Sequence, residues 1–487
     1  MPVEIPGYYY DEARKKYFKI EKSHTAPSSA PWSSDSVKKR RVDDAAHQAA
    51  KHRAHLVRSH IKRHGGLGRD VVASGLLARE AERRRVAVPG LGRADDGDLG
   101  AAAWAGGLVD KGHIPFLPSF ARARFANMPC FYVGGEDSKT GLGVAYASES
   151  LDEETLVGSY ISTDENDRIT FDRDRPGTLE RGPSFRTEMI RCPQMSSIKY
   201  HQPSHKMLLT SREPDHSCGL YFFSPPLSPA DDARPHWLLG ETNHYQRLSI
   251  RHRLRDRWLV HQSTPAPASS DLLCVIGTNA GILGVRSNET MAWIAPQSPP
   301  KGLHLPQEMF DQDFQQSNHN VLLAGGRQPR LWITDLRTPE SEWTYVRHAS
   351  SVAHVRSVNP HQVLVAGLES SMALYDMRFF GRRPNGVRPL LGFPAYRNEA
   401  HFHAGWDVSA ELGVVAAAQD DGTVKIFSLR SGRALRCGAV QGIATETPVR
   451  ALMFQTMPRE KAPSLFVGEG PSLKKYSFGT LDLEDEA

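Results

Sequence analysis

Two acid–arginine pairs recur at the same place in neighbouring segments of the chain. They read Asp335-Leu-Arg337 and Asp376-Met-Arg378, and the two arginines are 41 residues apart. A guanidinium group donates paired hydrogen bonds to a carboxylate or a backbone carbonyl in a geometry that lysine does not reproduce. Such chemistry serves binding, so all four residues are candidate contacts for a protein partner. The alternative, which stays open, is that each aspartate hydrogen-bonds only within its own strand.

A basic run near the start of the chain is the second candidate site. Lys38, Lys39, Arg40 and Arg41 follow a segment of Ser, Pro and Ala, which is the form of a nuclear-import signal. Residues 38–85 hold fourteen basic and five acidic side chains and could bind nucleic-acid phosphates. The run could also be no more than the solvated flank of a helix. We expect the protein in the nucleus, with the cytoplasm as a second compartment.

The residue patterns of common catalytic sites are absent from the sequence. Neither His-Glu-x-x-His nor Gly-x-Ser-x-Gly occurs. The stretch that ends in Lys139-Thr140 lacks the glycine that precedes the lysine of a phosphate loop, and His201 with His205 lacks a third ligand at zinc spacing. The sequence therefore predicts a protein that is not an enzyme and that holds no cofactor and no metal.

Composition places the chain among globular proteins of a reducing compartment. Its 487 residues are 39% hydrophobic and 24% charged, which excludes a fibre or a wholly disordered chain. Five cysteines without a Cys-x-x-Cys pair argue against a disulfide framework. No uncharged apolar run reaches the roughly 18 residues of a membrane helix, and the first residues do not resemble a secretion signal. We expect a soluble intracellular protein without a membrane partner.

A repeat of paired apolar runs organises the chain from about residue 190. Each first run is followed, after a few turn-forming residues, by a second run, and the six first runs begin at Met207, Cys274, Leu322, Val363, Val414 and Leu465. Second runs end in Arg286, Arg337, Arg378 and Arg430, which are 51, 41 and 52 residues apart. A period of about 40 to 50 residues with two β-runs per unit predicts the blades of a propeller.

The predicted fold is an all-β propeller of seven blades, and the stretch from His348 to Pro360 resembles the opening of a WD repeat, which implies a WD40-type β-propeller. Six blades are readable between about 190 and 480, and the seventh is expected around Phe131 and Gly143. Since a closed ring leaves no exposed sheet edge, we expect N-terminal chain to complete the last blade. The predicted organisation is an aromatic motif at 1–20, a flexible linker with the basic run at 21–42, a basic helix-turn-helix at 43–85, a linker at 86–128, the propeller at 129–480 and an acidic tail at 481–487.

Two parts of the chain resemble a known family. The segments Trp332-Ile-Thr-Asp-Leu-Arg and Leu374-Tyr-Asp-Met-Arg resemble the tandem WDxR motifs of WD-repeat substrate receptors of cullin-4 RING ubiquitin ligases. Residues 5–20, Ile-Pro-Gly-Tyr-Tyr-Tyr-Asp-Glu-Ala-Arg-Lys-Lys-Tyr-Phe-Lys-Ile, look like the N-terminal motif of the factor-4 type of these cullin-4-associated receptors. The match departs from the motif because Thr334 and Tyr375 stand where the family has Trp.

This resemblance implies a non-catalytic substrate receptor. In the family, the arginine of the motif projects from the propeller rim to the triple-propeller adaptor of the ligase, which implies that role for Arg337 and Arg378. It also makes 43–85 the candidate for a segment inserted into the adaptor, and it leaves the protein substrate unidentified. The rival hypothesis is a nuclear scaffold in a nucleic-acid or chromatin assembly, with residues 38–85 on nucleic acid. An enzyme is the more distant alternative.

Overall fold

The computed structural model divides into two compact units, residues 1–70 with 481–487, and residues 71–480. The structure describes residues 7–11, 14–22, 32–67, 98–115, 128–134, 142–149, 155–163, 169–170, 186–191, 194–211, 219–224, 246–249, 259–295, 307–338, 343–382, 387–457, 460, 462–470 and 472–479.

The N-terminal unit contains a hairpin and one long helix. Strands β1 (Tyr8–Asp11) and β2 (Lys16–Lys19) pair antiparallel. Helix α1 (Ser34–Leu67) follows, and the hydroxyl of Ser33 accepts a hydrogen bond from the Ser36 N–H at 3.3 Å. This contact caps the helix, because it satisfies one of the backbone donors that a first turn leaves without a partner.

Helix α1 begins earlier than the sequence predicted. We expected a flexible linker through residue 42 and a cap at Asp43-Asp44, whereas the helix already covers 34–42. The Ser33 cap and the acidic Asp35 in the first turn explain the difference, since both stabilise a helix N-terminus. The expected glycine stop at Gly65-Gly66 also lies inside the helix, and the expected second helix at 70–85 lies outside the described residues.

The described residues of the second unit form short antiparallel strands, two short α-helices and two 3₁₀-helices, Gln202–Ser204 and Met377–Arg382. Helix α2 spans Leu99–Gly106 and helix α3 spans Gly438–Gln441. The strands are β3 (Leu108–Pro115), β4 (Phe131–Gly134), β5 (Leu142–Glu149), β6 (Thr155–Thr163), β7 (Ile169–Thr170), β8 (Arg186–Arg191), β9 (Met195–His201), β10 (Lys206–Ser211), β11 (Gly219–Phe223), β12 (Gln246–Ser249), β13 (Val260–Pro265), β14 (Leu272–Thr278), β15 (Gly281–Arg286), β16 (Met291–Ala295), β17 (Met309–Gln315), β18 (Asn318–Gly326), β19 (Arg330–Asp335), β20 (Thr344–Arg347), β21 (Val352–Asn359), β22 (Gln362–Gly367), β23 (Met372–Asp376), β24 (Leu391–Gly392), β25 (Trp406–Ser409), β26 (Val414–Ala418), β27 (Val424–Ser428), β28 (Ala434–Leu435), β29 (Leu452–Gln455), β30 (Ser464–Glu469) and β31 (Ser472–Phe478).

These strands form six four-stranded blades. Blades 1 to 5 are β9–β12, β13–β16, β17–β20, β21–β24 and β25–β28, each in sequence order from the inner strand outward, and blade 6 is β29–β30–β31–β3. The six first runs predicted from the sequence are the second strands of these blades, and the six second runs are the third strands. The predicted propeller repeat is therefore confirmed.

The described residues contain six such blades rather than the seven expected. Strands are present where the seventh was sought, around Phe131 and Gly143, but they belong to a five-stranded sheet, β4–β8. This sheet departs from the blade pattern because β7 and β8 both pair with β6, at different parts of its length. Strand β4 contacts the inner strands β29 and β9, so the sheet lies between blade 6 and blade 1.

The core lies between the blades. Val414–Ala418 is buried at every position, because a second strand has a neighbouring blade on each face. Neighbouring blades pack so closely that a Cβ atom added to Gly325 of blade 3 would lie 2.1 Å from Val352 Cγ1 of blade 4, which is an overlap. The predicted Asp421-Gly422 turn connects β26 and β27, with Gly422 at a φ of 76° that favours glycine.

N-terminal chain completes blade 6, as expected. Strand β3 pairs antiparallel with β31, from Leu108 opposite Phe478 to Pro115 opposite Ser472. Preceding it, helix α2 buries Trp104 and Ala105 against core residues of blades 5 and 6. Residues 98–115 are thus not part of a linker, as the predicted 86–128 boundary had it, because their apolar side chains complete a blade and its core.

Candidate functional site

The first Asp-x-Arg pair forms a local clamp at the end of β19. Arg337 donates to Asp335 through Nε at 2.9 Å and through Nη2 at 2.5 Å, and its backbone N–H donates to the same carboxylate at 3.0 Å. The arginine side chain is nevertheless 64% exposed. One carboxylate therefore fixes the turn and the direction of the guanidinium, while the remaining donors face solvent.

The second pair repeats this arrangement in the next blade. Arg378 donates to Asp376 through Nε at 3.0 Å, through Nη2 at 2.6 Å and through its backbone N–H at 3.0 Å. The arginine is 62% exposed, whereas Asp376 is buried. The two guanidinium groups are held by the same contacts at equivalent ends of adjacent blades.

In both pairs, each partner stabilises the charged form of the other, the carboxylate of the aspartate and the guanidinium of the arginine. The hydrogen bonds from Arg337 lower the pKa of Asp335 to about 2, and those from Arg378 lower the pKa of Asp376 in the same way. Each arginine in turn has its pKa raised by its aspartate. The clamps therefore persist across the physiological pH range.

Other blades carry variants of the motif. In blade 5, Ser428 takes the aspartate position, and its hydroxyl accepts the backbone N–H of Arg430 at 3.0 Å. In blade 2, Gly284 takes that position before the exposed Arg286. Among the four arginines that defined the repeat, only Arg337 and Arg378 thus have an acidic side chain two residues before them.

Tyr375 and Trp332 belong to the core rather than to the docking candidates. Trp332 is fully buried between blades 2 and 3, and Thr334 is also buried. The Tyr375 hydroxyl contacts His348 Nδ1 at 2.9 Å, and His348 Nε2 lies 3.0 Å from the Ser371 hydroxyl. Departure from the WDxR pattern therefore changes the interior of the blade and leaves the exposed arginine in place.

The basic run lies in the N-terminal unit, on the first turns of α1. Lys38, Lys39, Arg40 and Arg41 are all exposed. Arg40 lies over the ring of Tyr9 at 5.0 Å and donates a hydrogen bond to its hydroxyl. One of the four basic residues is thus engaged by the aromatic hairpin.

Two features of the structure were not predicted from the sequence. Phe379 follows Arg378 and is 53% exposed, and a Phe beside the motif arginine was the signal that could have identified it. The second feature is a polar cavity lined by inner-strand residues such as Lys199 and Arg356. It could not be read from one sequence, because its residues come from every blade.

The described residues lack a cluster of metal ligands. They contain no group of three or more His, Cys, Asp or Glu side chains that could hold a metal ion. Across the same parts of the chain, no helix is both long and apolar enough to cross a membrane.

Comparisons with known proteins point to WD repeats. No family model matches the chain. WD repeat-containing protein 21 of Schizosaccharomyces pombe is 34% identical over 77 residues, which are 15% of this chain and 18% of that protein. The WD40 β-propeller domain of Doa1 superposes with a TM-score of 0.46 at 10% identity, over 76% of this chain and 97% of that domain. Blade order and repeat spacing identify the fold as an all-β propeller, and the sequence similarity to a WD-repeat protein is limited to 77 residues.

Proposed function

We propose that this protein is a non-catalytic substrate receptor of a cullin-4 RING ubiquitin ligase, and that it docks on the propeller adaptor through Arg337 and Arg378. The observation that carries the proposal is the pair of identical clamps in blades 3 and 4, each with an exposed guanidinium. A fixed guanidinium loses less side-chain freedom on binding than a free one, which suits it to recognise carbonyl or carboxylate groups of a partner.

Neighbouring strands of a blade run in opposite directions, so the ring has two distinct ends. The proposed adaptor contacts, Arg337 and Arg378, lie at one of them. Asp335 and Asp376 end the third strands of their blades, and this is the end where the inner strands also finish. Phe310 and His261, by contrast, lie where the inner strands β17 and β13 begin. A receptor needs two such surfaces, because adaptor and substrate must bind at the same time.

The test is adaptor co-purification with the double variant Arg337→Ala/Arg378→Ala. If both groups are buried in the interface, each loss costs about 2 kcal/mol or more, so the double change should abolish recovery of the adaptor. Arg286→Ala is the matched control, since this exposed arginine ends the equivalent strand of blade 2 without an aspartate.

Folding must be measured beside binding. Circular dichroism and the melting temperature of the double variant should match those of the wild type. Equal adaptor recovery from wild type and double variant would refute the receptor assignment at these residues. A loss of binding in proportion to a loss of folded protein would show that the arginines only brace their blades.

A nuclear scaffold that binds nucleic acid is the second candidate. It is favoured by the exposure of Lys38, Lys39 and Arg41, which make no ion pair with other described residues. Under this proposal, residues 38–85 bind DNA or RNA with an affinity that falls steeply with salt. Replacing the four basic residues 38–41 with Ala should reduce the salt dependence; an unchanged affinity would exclude this segment. The same variant tests nuclear localisation, because it removes the charge that an import receptor would bind.

The five-stranded sheet bears on the blade count. We infer that β4–β8 acts as the seventh blade, because β4 contacts both neighbouring inner strands and Val133 donates its N–H to Met453 Sδ of blade 6 at 3.4 Å. Deleting residues 129–191 should then open the ring and give insoluble protein. Soluble, monodisperse protein from that deletion would favour a ring of six.

A further inference from the structure

A cavity of about 100 Å³ lies on the axis of the propeller. Inner strands of all six blades and β4 contribute residues to its lining. A space of this size holds several water molecules, so it admits a small polar group on a short stem.

Asp311, which lines the cavity, and the nearby Asp313 and Asp407 accept hydrogen bonds that join neighbouring blades. Asp311 accepts the backbone N–H of Val355 at 2.9 Å, and Asp313 accepts that of Ser357 at 2.7 Å, which ties blade 3 to blade 4. Asp407 accepts the N–H of Phe454 at 2.7 Å and ties blade 5 to blade 6. These acidic groups are structural.

The cationic side chains at the cavity do not make hydrogen bonds of this kind. Lys199, Arg356 and Arg450 line it, and none of the three makes a hydrogen bond to another described residue. Arg356 comes within 3.9 Å of Asp313 and of Asp407, which is beyond hydrogen-bond length, and its Nε is buried without a partner. The Arg356 side chain is 28% exposed, so its remaining donors are open to the cavity, and a carboxylate that enters there could accept hydrogen bonds from these three cations.

Three aromatic rings form a rim at one end of the cavity. Phe310 stacks on Phe402 with ring centroids 4.4 Å apart, and His261 packs edge-on against both rings. This rim lies where the inner strands begin, opposite the end that carries Arg337 and Arg378. A stem inside the cavity would therefore lie beside aromatic rings as well as beside the cationic donors.

We propose that this axial cavity binds a carboxylate of a partner polypeptide, with Lys199, Arg356 and Arg450 as donors and the Phe310–Phe402 pair packing against the adjoining stem. The carboxylate comes from a chain terminus or from an acidic side chain, and both present the same acceptor. The inference rests on the proposed receptor function in one respect, since it assigns a chemistry to the substrate. Binding can nevertheless be measured on the purified full chain without the adaptor.

The experiment uses three pools of short randomised peptides with a fluorescent N-terminal label. The first has a free C-terminal carboxylate and no acidic residue, the second has an amidated terminus and one central Glu, and the third is the second with Gln for Glu. Fluorescence polarisation should show binding of the first or the second pool about tenfold tighter than the third. Which of the two binds identifies the source of the carboxylate. Equal binding of all three would overturn the proposal.

Two variants locate the site. Lys199→Gln and Arg450→Gln should each weaken binding of the preferred pool about tenfold, while Arg436→Gln, an exposed arginine away from the cavity, should leave it unchanged. Arg450 is only partly buried, so its variant keeps the test valid if Lys199→Gln fails to fold. Displacement of the peptides by equimolar inorganic phosphate would overturn the peptide assignment. Arg337→Ala/Arg378→Ala should bind peptide normally, which separates failure of this inference from failure of adaptor docking.

Discussion

The hydroxyl of Ser428 donates a 2.6 Å hydrogen bond to Asp98 Oδ1, from a position 330 residues later in the chain. Asp98 stands at the N-cap of α2 but makes no side-chain hydrogen bond to that helix. Its carboxylate instead reaches blade 5, where Ser428 occupies the position of Asp335 and Asp376. Blade 5 thus receives from the N-terminal chain the carboxylate that blades 3 and 4 supply themselves.

Removing this contact should weaken attachment of the N-terminal segment. Both residues are buried, so Asp98→Ala leaves the Ser428 hydroxyl without its acceptor and should lower the free energy of unfolding by about 1–3 kcal/mol. Ser428→Asp should be at least as harmful, because it buries a second carboxylate beside Asp98. The double exchange Asp98→Ser/Ser428→Asp restores one hydroxyl and one carboxylate and should recover part of the loss. Urea denaturation measures all three; an additive loss in the double variant would contradict a direct interaction.

Truncation should reveal where the propeller begins. A chain that starts at residue 71 retains the whole second unit and should fold. A chain that starts at residue 116 lacks β3 and α2, which leaves the edge of β31 unpaired and exposes core residues of blades 5 and 6. Since an exposed, apolar strand edge promotes aggregation, this shorter chain should be insoluble or strongly destabilised. Size-exclusion chromatography of the two products distinguishes them; equal behaviour would mean that closure by β3 is dispensable.

Local patterns predicted the blades but not which N-terminal segment closes the ring. The second strands, such as Val414–Ala418, are continuous apolar runs buried on both faces, so they stand out in the sequence. Strand β3 contains Asp110, Lys111 and His113, which makes it read as linker until its partner β31 is known. The Ser33 cap was overlooked because the surrounding Ser and Pro residues indicated a flexible segment.

In the candidate sites, too, contacts between residues close in sequence were predictable and contacts between distant residues were not. Asp335 and Arg337 are two residues apart, so their contact follows from local geometry and could be anticipated. The axial cavity brings together Lys199 and Arg450 across about half of the chain, and no local pattern links them. Only the closed arrangement of inner strands makes them neighbours.

The aspartates of the two clamps should contribute to adaptor binding indirectly. Asp335→Asn and Asp376→Asn keep the size of the side chain but replace one acceptor oxygen by a donor, so they lose the paired contact with arginine. The guanidinium then becomes mobile, and we expect each change to weaken adaptor binding by about 1 kcal/mol, less than the arginine substitutions. Calorimetric titration with purified adaptor measures this order. Asparagine variants as damaging as Arg→Ala would instead show that the carboxylates contact the adaptor themselves.

Stability should depend on pH through His348. Burial lowers the pKa of this histidine from 6.5 to about 4, and its ring is hydrogen-bonded to Tyr375 and Ser371. Between these two pH values the unfolded chain binds a proton that the folded chain does not, so stability is full above pH 6.5 and falls as pH decreases. At about 1.4 kcal/mol per pH unit, this histidine should remove about 2 kcal/mol between pH 7.5 and pH 5.

Comparison with His348→Gln isolates this contribution from the other titrating groups of the chain. Glutamine does not titrate, so the variant should be less stable than wild type at pH 7.5, and the gap should narrow by about 2 kcal/mol at pH 5. His361→Gln is the matched control for the substitution itself, because His361 is exposed in the same blade. Urea midpoints at the two pH values give both differences. If the gap between wild type and His348→Gln stays constant with pH, the buried ring is not the group that destabilises the propeller in acid.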